Sequence, residues 1–83
     1  MRVHVLRGRA GLYGFTPEPS NLPADKGPWR QFKSLEIYEE HPAQRIGVNE
    51  ADVLAGIKSH GYYLKDLTAQ VPENELFQPP AEI

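Results

Sequence analysis

Val48-Asn49-Glu50-Ala51-Asp52-Val53-Leu54-Ala55-Gly56-Ile57-Lys58-Ser59-His60-Gly61 is the stretch that decides the fold, because nearly every local rule in it points to one helix. Asn49 is a favoured N-cap, and Glu50 and Asp52 place negative charge at the positive end of the helix. Val48 and Val53 have the spacing of a hydrophobic staple, which sets the angle at which the chain enters. Val53, Leu54 and Ile57 form an apolar stripe flanked by Ala51 and Ala55. Lys58 and His60 fall in the last turn, where cations are favoured, and Gly61 supplies the left-handed backbone that stops the helix. Gly56 stands against this pattern. A glycine inside a helix costs about 1 kcal/mol relative to alanine, so its missing side chain points to a strand that approaches closely.

Upstream, Val3, Val5 and Arg7 alternate with His4, Leu6 and Gly8, the period of two that a strand requires. Leu12-Tyr13-Gly14-Phe15-Thr16 is extended and aromatic, and Gly8-Arg9-Ala10-Gly11 between the two runs provides turn glycines, so residues 2–16 read as a β-hairpin. Pro17 to Pro28 holds four prolines with Ser20, Asn21, Asp25 and Gly27, and reads as a loop that Leu22 pins to the core. A third strand follows, Phe32 to Tyr38, with Lys33, Leu35 and Ile37 on one face and Phe32, Ser34, Glu36 and Tyr38 on the other. Arg45 to Val48 is an extended lead into the helix, and Tyr62-Tyr63-Leu64 is the last strand.

The order is β-β-β-α-β. It predicts an α+β domain over residues 1–66, a small, mostly antiparallel sheet of about four strands covered on one face by a single helix. Residues 67–83 carry Pro72, Pro79 and Pro80 with Glu73, Glu75 and Glu82, and read as a disordered acidic tail. Leu76 and Phe77 are its one bulky apolar pair, able to dock on a partner or on the sheet.

Composition narrows the function classes. The chain has 83 residues, no cysteine and no apolar run approaching the roughly 20 residues of a membrane helix. No disulfide or thiolate metal site is available, no export signal is legible, and a cytoplasmic setting away from membranes is the expectation. Charge is unevenly spread: residues 1–33 carry six basic against two acidic side chains, a net of +4, and residues 34–83 carry three against nine, a net of −6.

Gly8-x-x-Gly11 spells a nucleic-acid loop motif that needs flanking helices, and here strands flank it. His4, His41 and His60 are too widely spaced for a metal motif, and no serine or threonine sits in a nucleophile elbow, so no metal, cofactor or catalytic residue is assigned. An enzyme is left open without support from any motif, and two binding functions carry more. The preferred one is a non-enzymatic protein-interaction or accessory domain that self-associates through a sheet edge or binds another protein. The alternative is single-stranded nucleic-acid binding on a basic and aromatic face formed by Arg7, Arg9, Tyr13, Trp29, Arg30 and Lys33, where aromatic platforms stack bases within a positive groove.

The stretch Asn21-Leu22-Pro23-Ala24 through Gly27-Pro28-Trp29, the strand after it, Gly47-Val48-Asn49 with its helix, and Gly61-Tyr62-Tyr63-Leu64 resemble the layout of short bacterial proteins that carry no assigned function. The likeness spans residues 3–64. It implies a bacterial, cytoplasmic protein and brings no catalytic residue with it.

Overall fold

The alternation of Val3 and Val5 with His4 and Leu6 produces strand β1 (Arg2–Arg7), and the rest of the sheet is laid on either side of it. A computed structural model describes residues 1–45, 47–66 and 77. In chain order the elements after β1 are β2 (Leu12–Thr16), β3 (Arg30–Glu36), β4 (Gln44–Arg45), β5 (Val48–Asn49), α1 (Glu50–His60) and β6 (Tyr63–Asp66). The main sheet has the order β3-β1-β2-β6 with every pair antiparallel, and β4 pairs with β5 in a separate two-stranded ladder leading into α1. This is the α+β architecture that the sequence implies, a four-stranded antiparallel sheet packed against one helix.

The hairpin of β1 and β2 closes where Ala10 and Gly11 take positive φ of 54° and 82° and the Leu12 N–H donates to the Arg9 carbonyl at 3.1 Å. The helix is capped as its residues dictate. The Asn49 side chain accepts the Ala51 N–H at 2.8 Å, and Gly61, at φ 84°, donates its N–H to the Ile57 carbonyl at 2.8 Å. Val48 and Val53, the two halves of the staple, are both buried in the main core.

The two sheet faces are covered by different means. On one, Val3, Val5, Tyr13, Phe15 and Leu35 pack beneath α1, together with Ile37, Val48, Val53 and Phe77. On the other, Leu6 and Gly14 stand side by side in the β1–β2 register, and the segment between β2 and β3 lies over them. A Cβ built on Gly14 would stand 2.7 Å from Leu22 and 3.0 Å from Trp29, and one on Gly8 would stand 2.7 Å from Trp29. Leu22 is buried, the Trp29 indole N–H donates to the Pro23 carbonyl at 2.8 Å, and the Thr16 hydroxyl lies 2.9 Å from the Gly61 carbonyl at the helix end. Gly8 and Gly14 therefore form the floor beneath the tryptophan.

The strict alternation expected of the third strand fails at Phe32. Val5 pairs with Lys33 and Leu6 with Gln31, so Phe32 is an extra residue in a β-bulge. A bulge shifts the pleat by one position, and Phe32 packs against the main core instead of facing away from Leu35.

Gly56 is the contact between helix and sheet. A Cβ there would meet Tyr63 Cδ1 at 2.7 Å and Tyr63 Cβ at 2.8 Å, with the Tyr62 carbonyl at 3.2 Å. Alanine gains about 1 kcal/mol of helix propensity, but overpacking against a strand typically costs about 1–3 kcal/mol. Gly56→Ala is expected to lower the thermal midpoint by several degrees. An unchanged or raised midpoint would mean that α1 does not press on β6 in this way.

Candidate functional site

Phe77 is the last described residue and the least expected member of the core, since it comes eleven positions after β6 ends, in a stretch whose composition reads as a tail. It is the one described position of residues 67–83, so the disorder expected of the rest of that tail lies outside the described residues. The Phe77 side chain is 1% exposed. Its ring meets Phe15 at 5.0 Å and 82°, Tyr13 at 5.4 Å and 75°, and Phe32 at 6.0 Å and 80° between centroids. Three edge-on contacts around one ring make a socket, and each such pair contributes about 0.5–1.5 kcal/mol beyond the area it buries.

The backbone of Phe77 is held as well. Arg45 Nη1 donates to the Phe77 carbonyl at 2.8 Å, Nη2 donates to the Glu36 carbonyl at 3.3 Å, and Nε donates to Glu50 Oε2. Glu50 is 3% exposed, and its other carboxylate oxygen accepts the Ala43 N–H at 2.8 Å. One guanidinium thus joins the start of α1, the end of β3 and the carbonyl of residue 77, using the planar fork of donors that a lysine lacks. The sequence marked Glu50 only as favourable charge at a helix end. Its burial depends on the β4–β5 ladder, which places Arg45 opposite Val48 and brings its side chain to the helix start.

The rim of the socket is cationic. In the strand registers Arg30, Arg7, Tyr13 and Lys65 form one transverse row, and Lys33, Val5, Phe15 and Tyr63 form the next. The Arg7 guanidinium carbon lies 5.4 Å, and Lys33 Nζ 5.1 Å, from the Phe32 ring centroid, both within cation–π range.

The six residues of the sequence-derived binding face are thus only partly assembled. Arg7, Arg30 and Lys33 gather at the β1–β3 side of the sheet. Tyr13 is 5% exposed inside the socket, where it is no platform for a base. Trp29 lies on the opposite face over Gly8 and Gly14, and Arg9, whose Nη2 donates to the Gly27 carbonyl at 3.1 Å, belongs to that side too. Sequence reading missed the roles of Arg45 and Glu50 and set Phe32 on the face away from Leu35. For Phe77 the available signal was Leu76-Phe77, a bulky apolar pair in a stretch rich in proline and glutamate.

Other concavities hold less chemistry. An open groove of about 490 Å³ along α1 is lined by Asp52, Ala55, Gly56, Ser59, His60 and Tyr63, but no hydrogen bond joins its Asp, Ser and His side chains, and the His60 ring rests near Tyr62 instead. A second, of about 310 Å³, lies between the hairpin turn and the loop, lined by Arg9, Lys26, Asp25 and Asp66 among others. Among the described residues no three His, Asp or Glu side chains converge as metal ligands, and no helix is long and apolar enough to cross a membrane.

Removing one partner of a buried ion pair leaves the other charge uncompensated, at a cost of about 3–5 kcal/mol. Glu50→Gln is therefore expected to destabilise the fold by about 3 kcal/mol, measured by urea unfolding. A change within 0.5 kcal/mol, the size of an ordinary surface substitution, would show that Arg45 and Glu50 do not share a buried contact.

The chain matches no family model, no curated protein and no solved structure, so the reading of this site rests on its own geometry.

Proposed function

We propose that the chain is a small, non-enzymatic protein-interaction domain that grips an aromatic side chain of a peptide segment on the helix-covered face of its sheet. The observation that carries this reading is Phe77. A residue delivered by a segment beyond the last strand is buried among three rings, with its carbonyl taken by Arg45. An aromatic anchor in a desolvated pocket plus a donor on the main chain is how short peptide segments are commonly held.

The sheet edges support association less well than the socket does. Among the described residues β3 pairs only with β1, but it carries a bulge and charged side chains, and β6 is four residues long and ends in Lys65 and Asp66. Bulges, short strands and charges are the usual protection against strand addition. Single-stranded nucleic-acid binding loses its stacking platforms with Tyr13 enclosed and Trp29 packed on two glycines. The absence of cysteine agrees with a reducing, cytoplasmic setting.

Truncation after Asp66 tests the reading. Losing a buried phenylalanine costs about 3–5 kcal/mol, which in a domain of this size lowers the thermal midpoint by about 10 °C or more. The uncovered rings are expected to add a concentration-dependent rise in solution mass. If neither midpoint nor mass changes, nothing docks in the socket and the reading fails. Titration of a labelled single-stranded oligonucleotide across a salt series is expected to show no saturable binding at about 50 mM salt, whereas tight binding that falls steeply with salt would favour the polyanion alternative.

A further inference from the structure

The socket is filled from within the chain by Phe77, and the sequence just before that ring has a distinct chemistry. Residues 73–77 read Glu-Asn-Glu-Leu-Phe, which places carboxylates four and two positions before the anchoring ring. The receiving rim carries Arg7 and Lys33 against the Phe32 ring, with Arg30 opposite Arg7 in the β1–β3 register. The same complementarity runs through the whole chain, +4 over residues 1–33 and −6 over residues 34–83.

We propose that the socket is a recognition site for an acidic, phenylalanine-bearing segment of a partner protein, and that the chain's own Phe77 occupies it in the partner's place. This rests on the interaction-domain reading above and adds the ligand class. Three features divide the work of recognition. The rings of Tyr13, Phe15 and Phe32 surround the anchor edge-on, which suits a flat ring better than a branched aliphatic side chain. Arg45 reads the anchor's carbonyl, which every residue has, so it contributes affinity without sequence preference. The cationic rim selects for acidic flanks and speeds encounter with them.

Self-occupancy sets how a partner must compete. Ten residues separate Asp66 from Phe77, a span that reaches about 35 Å when extended, which is ample for docking within one chain. A tether of that length gives an effective concentration on the order of millimolar. A free segment with the same contacts therefore binds the intact chain only near that concentration, on the order of millimolar, however tight the contact itself. Releasing the chain's own segment uncovers the intrinsic affinity.

The test uses the full chain with a protease site inserted between residues 67 and 72, folded intact and then cut, so that the socket is filled while the protein folds. A fluorescein-labelled peptide of residues 70–83 is titrated against cut and uncut protein. The cut protein is expected to exchange its segment and bind the peptide at least 10-fold more tightly than the uncut protein. The affinity should fall about 10-fold or more between 50 and 300 mM salt, as an electrostatic rim requires. A peptide carrying Phe77→Ala is expected to bind about 100-fold more weakly, as loss of a buried anchor implies. One carrying both Glu73→Gln and Glu75→Gln should lose most of the salt dependence. If the Gln peptide binds like the parent, the acidic ligand class is wrong while the interaction domain stands. If the Phe77→Ala peptide binds like the parent, or no peptide binds the cut protein, the socket is not a recognition site and both readings fall.

Discussion

The buried contact between Arg45 and Glu50 is the constraint on which the assembly of this small protein depends. The Glu50 carboxylate is removed from water and the Arg45 guanidinium largely so, and each must have its remaining hydrogen-bonding capacity met or the fold is penalised. They meet it by taking backbone from elsewhere: the Ala43 N–H for Glu50, and the carbonyls of Glu36 and Phe77 for Arg45. The end of β3, the start of α1 and Phe77 are thereby set relative to one another by one pair of side chains. The β4–β5 ladder, which also delivers Val48 to the core, presents Arg45 to that contact.

Around this pair the sheet is closed from both sides with few residues. One helix and one aromatic ring complete the main core, while a proline-rich segment with Leu22 and Trp29 covers the other face. The second cover works only because Gly8 and Gly14 leave room for the indole, and the first only because Gly56 leaves room for Tyr63. In a chain without disulfides, close approach at three glycines gives a thin core its packing density.

The functional reading follows from the same economy. The core is completed by Phe77, a ring eleven positions after β6 ends. Tyr13, Phe15, Phe32 and Arg45 hold that ring and its carbonyl, and under the proposed function the same four would serve as the recognition surface. The basic side chains Arg7 and Lys33, which suggest a polyanion surface, stand instead over the Phe32 ring at the edge of the Phe77 socket.

The sequence by itself determined the elements whose causes are local. The cap at Asn49, the stop at Gly61, the staple of Val48 and Val53, the hairpin over residues 2–16 and the meaning of Gly56 were all legible, because each depends on neighbours within a few positions. The order β-β-β-α-β followed from them. Only the tertiary structure decided what depends on distant partners. It turned Phe32 inward by a bulge, and it put Tyr13 inside the socket and Trp29 on the opposite face. It converted Glu50 from a surface charge into a buried one, and it drew Phe77 out of an apparent tail into the core. Helix caps and strand periods are short-range and leave a signature in order. Burial is a collective property of surfaces brought together by the whole chain, and the identity of a residue does not reveal which surface will cover it.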